Sequence, residues 1–91
     1  MKISDKKREK ISEQILAFLY SINPKLVFTS HIAQEIARDE EFTKNLLIDL
    51  KNKKIVIEIK KNPKGIDYLR RSRWKMSELV HQTYKEQQPP V

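Results

Sequence analysis

The sequence predicts a small α+β domain in which a helix-turn-helix precedes a β-hairpin and a last helix. Residues 30–53 contain two short amphipathic helical patterns joined by an acidic turn. Residues 55–60 then alternate apolar and polar side chains, as a β-strand does. Asn62, Pro63 and Gly65, the only glycine in the chain, favour a turn after this strand. A chain of 91 residues is enough for one compact domain.

The two helical patterns each have an apolar and a polar side. The apolar face of the first contains Ile32, Ala33, Ile36 and Ala37, and its predicted N-cap is Ser30. The apolar arc of the second contains Phe42, Thr43, Leu46, Leu47 and Leu50. Its opposite arc contains Lys44, Asn45, Ile48, Lys51 and Asn52. Helices this short can bury their apolar sides against each other only by crossing steeply, which is the geometry of a helix-turn-helix.

Further elements flank this unit. A first helix is predicted over residues 6–22, and Asn23 and Pro24 end it. Residues 26–29 are a short β-prone run that could pair with the hairpin as a third strand. Ser77 is a predicted cap for the last helix. The apolar stripe there contains Met76, Leu79, Val80, Thr83 and Tyr84.

These elements together predict a winged helix-turn-helix. Its parts are a three-helix core, a two- to three-stranded β wing and an additional C-terminal helix. In the wing strand, Ile55, Ile57 and Ile59 are expected to point one way and Glu58 and Lys60 the other. We expect the domain to span residues 1–85 and residues 86–91, EQQPPV, to be a disordered tail.

Positive charge is concentrated in one part of the chain. The formal net charge is +7. Residues 51–75 contain ten Lys or Arg side chains against two acids, Glu58 and Asp67, so ten minus two leaves a local charge of +8 and the rest of the chain sums to −1. A surface selected only for solubility would mix both signs along the chain. We therefore expect a polyanion as the partner.

Other functional classes find no support in the sequence. The chain contains no cysteine, which excludes disulfides and cysteine-based zinc sites. No nucleophile with a base, carboxylate pair or glycine-rich phosphate loop is recognisable, so we expect neither an enzyme nor a cofactor. No secretory signal or membrane-spanning stretch is recognisable, and we expect an intracellular protein without a membrane partner.

The candidate DNA-binding residues come from the second helix, at about residues 41–53, and from the wing, at about residues 60–73. They are Lys44, Asn45, Ile48, Lys51, Asn52, Lys60, Lys61, Lys64, Arg70, Arg71 and Arg73. In a major groove, asparagine can bond adenine in a bidentate manner, and an outward Ile48 can touch a thymine methyl group. Cations on a projecting hairpin can reach phosphates or a minor groove without a fixed orientation.

Each assignment has a structural alternative. The helix residues can form an ordinary solvated face, and Ile48 can instead be a core-edge or dimer contact. Cations on the hairpin can protect an edge strand against aggregation. Trp74 and Tyr68 could stack on bases, although a Trp at a strand end is more often part of the core, where we expect Trp74.

Three segments resemble the winged-helix transcription regulators of the MarR-like and ArsR-like groups, which are common in archaea and bacteria. In its second helix the family has a pattern of small and apolar residues, and Ile32, Ala33 and Ile36 stand at those places. Residues 50–55, LKNKKI, resemble the end of the family's third helix, with Lys54 in place of the usual glycine. Residues 74–77, WKMS, resemble the entry to its last helix.

The resemblance covers roughly residues 11–84 and implies sequence-specific binding of double-stranded DNA by a homodimeric, cytoplasmic, nucleoid-associated transcription regulator. The broad apolar arc of the first helix and the stripe of the last place the expected dimer contact at Leu16, Leu79, Val80 or Tyr84. Two alternatives stay open. One is an RNA-binding or ribosome-associated winged helix, and the other is a winged-helix protein–protein interaction module without nucleic acid.

Overall fold

Four α-helices and a three-stranded antiparallel sheet make up residues 4–60 and 72–87, the part of the chain that the computed structural model describes. In chain order they are α1 (Asp5–Ile22), β1 (Val27–Phe28), α2 (Thr29–Glu35), α3 (Glu40–Asn52), β2 (Val56–Ile59), β3 (Arg73–Met76) and α4 (Glu78–Gln87). This order confirms the predicted α+β, winged helix-turn-helix architecture. The turn residues Asn62, Pro63 and Gly65 lie outside the described residues.

The sheet has the strand order β1-β3-β2, with both neighbours antiparallel to the central β3. Val27 of β1 lies opposite Trp74, and Val56 of β2 lies opposite Met76. The short run before α2 is therefore the third strand that the sequence predicts. The strand β1 leads directly from the sheet into α2, the first helix of the helix-turn-helix.

The strand β2 alternates as predicted, but its inward face is not the isoleucine face. Val56 is 2% exposed and belongs to the core, whereas Ile57 is 37% exposed. Glu58, two residues after Val56, lies on the same face of the strand, and its side chain is only 7% exposed. The isoleucine pattern alone does not reveal which face of β2 is buried. The opposite face can be buried as well when its carboxylate, here Glu58, forms ion pairs with lysines.

The core forms where α1, α2, α3 and the sheet meet. Its buried members are Ile11, Ile15, Leu16, Leu19, Val27, Ile32, Ile36, Leu46, Leu47, Leu50, Val56, Trp74 and Met76. Every residue of the predicted α3 arc is buried except the half-buried Phe42, and the opposite arc is exposed. The helical periodicity thus predicted the packing of α3 correctly.

Both helices of the helix-turn-helix end in a left-handed residue that is not glycine. Ala37 has φ 56° and Lys54 has φ 64°. The amide of Arg38 donates to the carbonyl of Ala33 at 3.0 Å, and the amide of Ile55 donates to that of Leu50 at 2.9 Å. These are the bonds of Schellman motifs. Ala37 is consequently exposed, so its assignment to the buried face of the first pattern is wrong.

The start of α2 also differs from the prediction. The helix begins at Thr29 after Phe28, without a side-chain cap, so Ser30 is not the N-cap. The residue Thr29 is only 7% exposed, and its hydroxyl accepts a hydrogen bond from Trp74 Nε1 at 2.8 Å. Trp74 is completely buried, as expected from the sequence. This bond links the central strand of the sheet to the beginning of α2.

Replacing Thr29 by Val tests the importance of this link. The change keeps the shape of the side chain but leaves the buried indole N–H without its acceptor, and we expect a loss of about 1–3 kcal/mol in the free energy of unfolding. Thr29→Ser keeps the hydroxyl and is the control. Urea denaturation of both variants measures the difference, and equal losses would show that the hydroxyl contributes nothing.

The last helix packs against α1 through part of its predicted stripe. The ring of Tyr20 on α1 contacts two rings of α4. Its centroid lies 5.6 Å from that of Tyr84 and 5.2 Å from that of His81. Burial, together with the carboxylate of Glu13, raises the pKa of Tyr84. α4 is capped as predicted, since Ser77 Oγ accepts from the amide of Val80 at 3.4 Å.

Leu79 is 79% exposed, because it lies about 100° around the helix from Val80, which packs against the core. Its exposure is compatible with the expected dimer contact. Two other details of this region differ from the prediction. Leu16 is buried within the chain's own core and is not available as a dimer contact. α4 continues to Gln87, since the helix-disfavouring prolines come only at positions 89 and 90. Residues 88–91 lie outside the described part.

Candidate nucleic-acid interface

The helix α3 presents a polar face away from the core. Its beginning is fixed by Asp39, whose carboxylate accepts from the amide of Phe42 at 3.2 Å, and by the hydroxyl of Thr43, which donates to the carbonyl of Asp39 at 2.8 Å. The five predicted helix residues, Lys44, Asn45, Ile48, Lys51 and Asn52, are all exposed. Ile48 is 38% exposed and is the one apolar member of this set.

One member of this face, Lys51, points towards the wing. Its Nζ donates to Glu58 Oε1 at 2.8 Å, although the lysine side chain is still 47% exposed. Lys60 Nζ lies 3.9 Å from Glu58 Oε2, and the hydroxyl of Ser72 also donates to Oε2. The structure therefore brings together two of the predicted DNA-binding cations around one carboxylate.

The pKa of Glu58 is lowered although its side chain is largely buried. Burial alone would raise its pKa, but the hydrogen bonds from Lys51 and Ser72 and the positive charges of Lys51 and Lys60 together lower it. Sequence reasoning did not single out Glu58 as a functional residue. The signal that could have found it is its position as one of only two acids among ten cations.

The predicted wing residues are distributed differently from the expectation. Arg73 is half-buried in β3, opposite Phe28 and Ile59, so it belongs to the sheet rather than to a projecting tip. Lys60, the residue after β2, is exposed. Four predicted cations, Lys61, Lys64, Arg70 and Arg71, lie outside the described residues, as does Tyr68.

Other kinds of site find no support in residues 4–60 and 72–87. Within these ranges no group of three or more His, Asp or Glu side chains is placed to hold a metal ion. None of the described helices is long and apolar enough to cross a membrane. Trp74 is buried and cannot stack on a base. His31 contacts the ring of Phe18 at 5.4 Å between centroids and lies 3.9 Å from Glu35.

Comparison with known proteins shows similarity in structure only. No protein-family model matches the chain, and no curated protein matches it. Among solved structures, a mutant of MepR from a multidrug-resistant Staphylococcus aureus clinical isolate superposes with a TM-score of 0.69 at 18% identity, covering 96% of this chain and 64% of that one. A MepR–DNA complex superposes with a TM-score of 0.66 at 20% identity, covering 90% and 69%.

A second regulator gives the same picture. ZitR of Lactococcus lactis, a zinc-responsive MarR family member, superposes with a TM-score of 0.64 at 17% identity, covering 94% of this chain and 51% of that one. The chain thus spans between about half and two thirds of the length of these proteins. The predicted resemblance to MarR-like winged-helix regulators is confirmed at the level of the fold.

Proposed function

We propose that the chain is a DNA-binding transcription regulator in which α3 enters the major groove of duplex DNA. The observation that carries the proposal is the exposed face of α3, on which Lys44, Asn45, Ile48 and Asn52 point away from the core. Amide side chains read base edges, and an apolar group can contact thymine. A MepR–DNA complex shares this fold, which supports a role in DNA binding.

The wing has a different task in this proposal. The basic segment from Lys60 onwards carries Lys61, Lys64, Arg70 and Arg71. These cations contact phosphates or the minor groove and supply affinity with little sequence information. The helix supplies discrimination between sequences, because only base edges carry a distinct pattern of donors and acceptors.

We further propose that the protein acts as a homodimer on cytoplasmic, nucleoid DNA. Leu79 on α4 is 79% exposed and is the best-placed apolar candidate for a subunit contact. Val80 and Tyr84 pack against the chain's own core and have less surface to offer. Light scattering at high protein concentration, with and without DNA, measures the mass. A monomer in both conditions would remove the dimer from the proposal.

The nearest alternative is an RNA-binding winged helix, because the same positive charge could follow an RNA backbone. Competition among duplex DNA, duplex RNA and single-stranded DNA of equal length, at several salt concentrations, separates the two. We expect the tightest binding to duplex DNA, with log K falling by about 0.9 per phosphate contact for each tenfold rise in salt. Preference for RNA would transfer the function to the alternative. Absence of binding to every nucleic acid would favour a protein interaction module.

A further inference from the structure

Glu58 lies at the junction between α3 and the wing. Its side chain is 7% exposed, and each of its two carboxylate oxygens has a partner. Lys51 comes from the C-terminal turn of α3, Lys60 directly follows β2 and Ser72 directly precedes β3. One carboxylate thus connects the proposed recognition helix with both strands of the wing.

The carboxylate of Glu58 interacts with the same ammonium groups, those of Lys51 and Lys60, that a DNA phosphate would contact. Carboxylate and phosphate oxygens are both anionic acceptors for an ammonium group. Lys51 Nζ lies 2.8 Å from Glu58 Oε1, in direct hydrogen-bond contact. The side chains of Lys51 and Lys60 are 47% and 63% exposed, so both ammonium groups are within reach of an approaching DNA backbone. Glu58 reduces the charge that this pair offers to DNA from +2 to +1.

We propose that Glu58 is a specificity-determining residue that restrains non-sequence-specific DNA binding by competing with phosphate for Lys51 and Lys60. This inference rests on the proposed function. Non-specific affinity comes almost entirely from phosphate neutralisation, whereas specific affinity also has base contacts. A carboxylate that pairs with two cations therefore weakens non-specific binding more than specific binding. The ratio of specific to non-specific affinity rises as a result.

The test compares Glu58→Gln with a matched control at Asp49. Glutamine keeps the shape of the side chain and one oxygen acceptor while removing the negative charge. Asp49→Asn removes the same charge from the pair between Lys53 Nζ and Asp49 Oδ2, at 3.4 Å, whose side chains are 64% and 48% exposed. Both variants have the same net charge, so a difference between them reports the position of the carboxylate rather than the total charge.

We expect Glu58→Gln to raise the affinity for a random duplex several-fold and to steepen the slope of log K against log salt by about 0.9 for each released cation. Affinity for the preferred site should rise less, so the ratio of specific to non-specific affinity falls. Asp49→Asn should change the slope and the ratio much less. Lys51→Met in the Glu58→Gln background should remove the part of the gain that comes from Lys51.

Several outcomes would overturn the inference. They are an unchanged salt slope in Glu58→Gln, an equal effect of Asp49→Asn, or weaker binding to all duplexes, which would indicate a structural role. If Glu58→Gln does not fold, the slope of log K against log salt is measured for Lys51→Met in the otherwise unchanged chain. A slope shallower by about 0.9 would show that Lys51 already contacts phosphate and would overturn the inference, whereas an unchanged slope supports its retention by Glu58. Failure of the unchanged chain to bind duplex DNA would overturn the proposed function and this inference together.

Discussion

Leu50→Ala should lower the free energy of unfolding by about 2–5 kcal/mol, the cost of truncating a buried leucine. Leu50 is 5% exposed in the core between α1, α3 and the sheet. Its carbonyl also accepts the amide of Ile55 in the motif that ends α3. The cavity would thus open at the point where α3 leads into the wing. Chemical denaturation measures the change.

The matched control is Asn45→Ala on the opposite side of the same helix. Asn45 is exposed, and a surface substitution of this kind changes stability by no more than about 0.5 kcal/mol. A loss below about 0.5 kcal/mol for Leu50→Ala as well would mean that the two sides of α3 are not distinguished by burial. The assignment of the exposed side to DNA would then lose its basis.

Asn45→Ala should have its large effect on recognition. We expect a loss of about 1–3 kcal/mol on the preferred duplex and much less on a random duplex, because a bidentate amide contact discriminates between bases. Binding titrations on the two duplexes measure this difference. Because we expect Asn45→Ala to leave the free energy of unfolding nearly unchanged, a loss of this size would not come from unfolding.

The control for recognition is the double substitution of Arg70 and Arg71 by Ala. Removal of their phosphate contacts should weaken binding to both duplexes alike, and the salt slope should become shallower by about 1 for each phosphate that is no longer neutralised. An equal loss of affinity for Asn45→Ala on both duplexes would argue against base reading by α3. An unchanged salt slope in the arginine variant would argue against phosphate contacts by the wing.

The sequence was most informative where local periodicity decides the structure. The burial of Leu46, Leu47 and Leu50 follows from helical spacing alone, and the cap at Ser77 follows from residue type and position. The pairing of β1 with the hairpin was also predicted, because a short β-prone run before α2 has few other partners in so small a domain; which hairpin strand it joins was not.

Features that depend on distant contacts were not predictable in the same way. Ala37 and Lys54 adopt left-handed conformations without glycine, since the packing on both sides of each turn imposes the direction of the chain. The inward position of Glu58 depends on Lys51 and Ser72, which lie 7 and 14 residues away. The acceptor role of Thr29 depends on Trp74, 45 residues later.

The most direct test of the proposed DNA contact is an NMR titration of the isotopically labelled protein with a short duplex. We predict that the largest changes in backbone amide shifts fall on α3, around Lys44, Asn45 and Ile48, and on the strands of the wing. Amides of α4 around Leu79 should change little in comparison. Large changes in α4 with none along the exposed face of α3 would contradict the account, because the recognition helix would then not face the DNA.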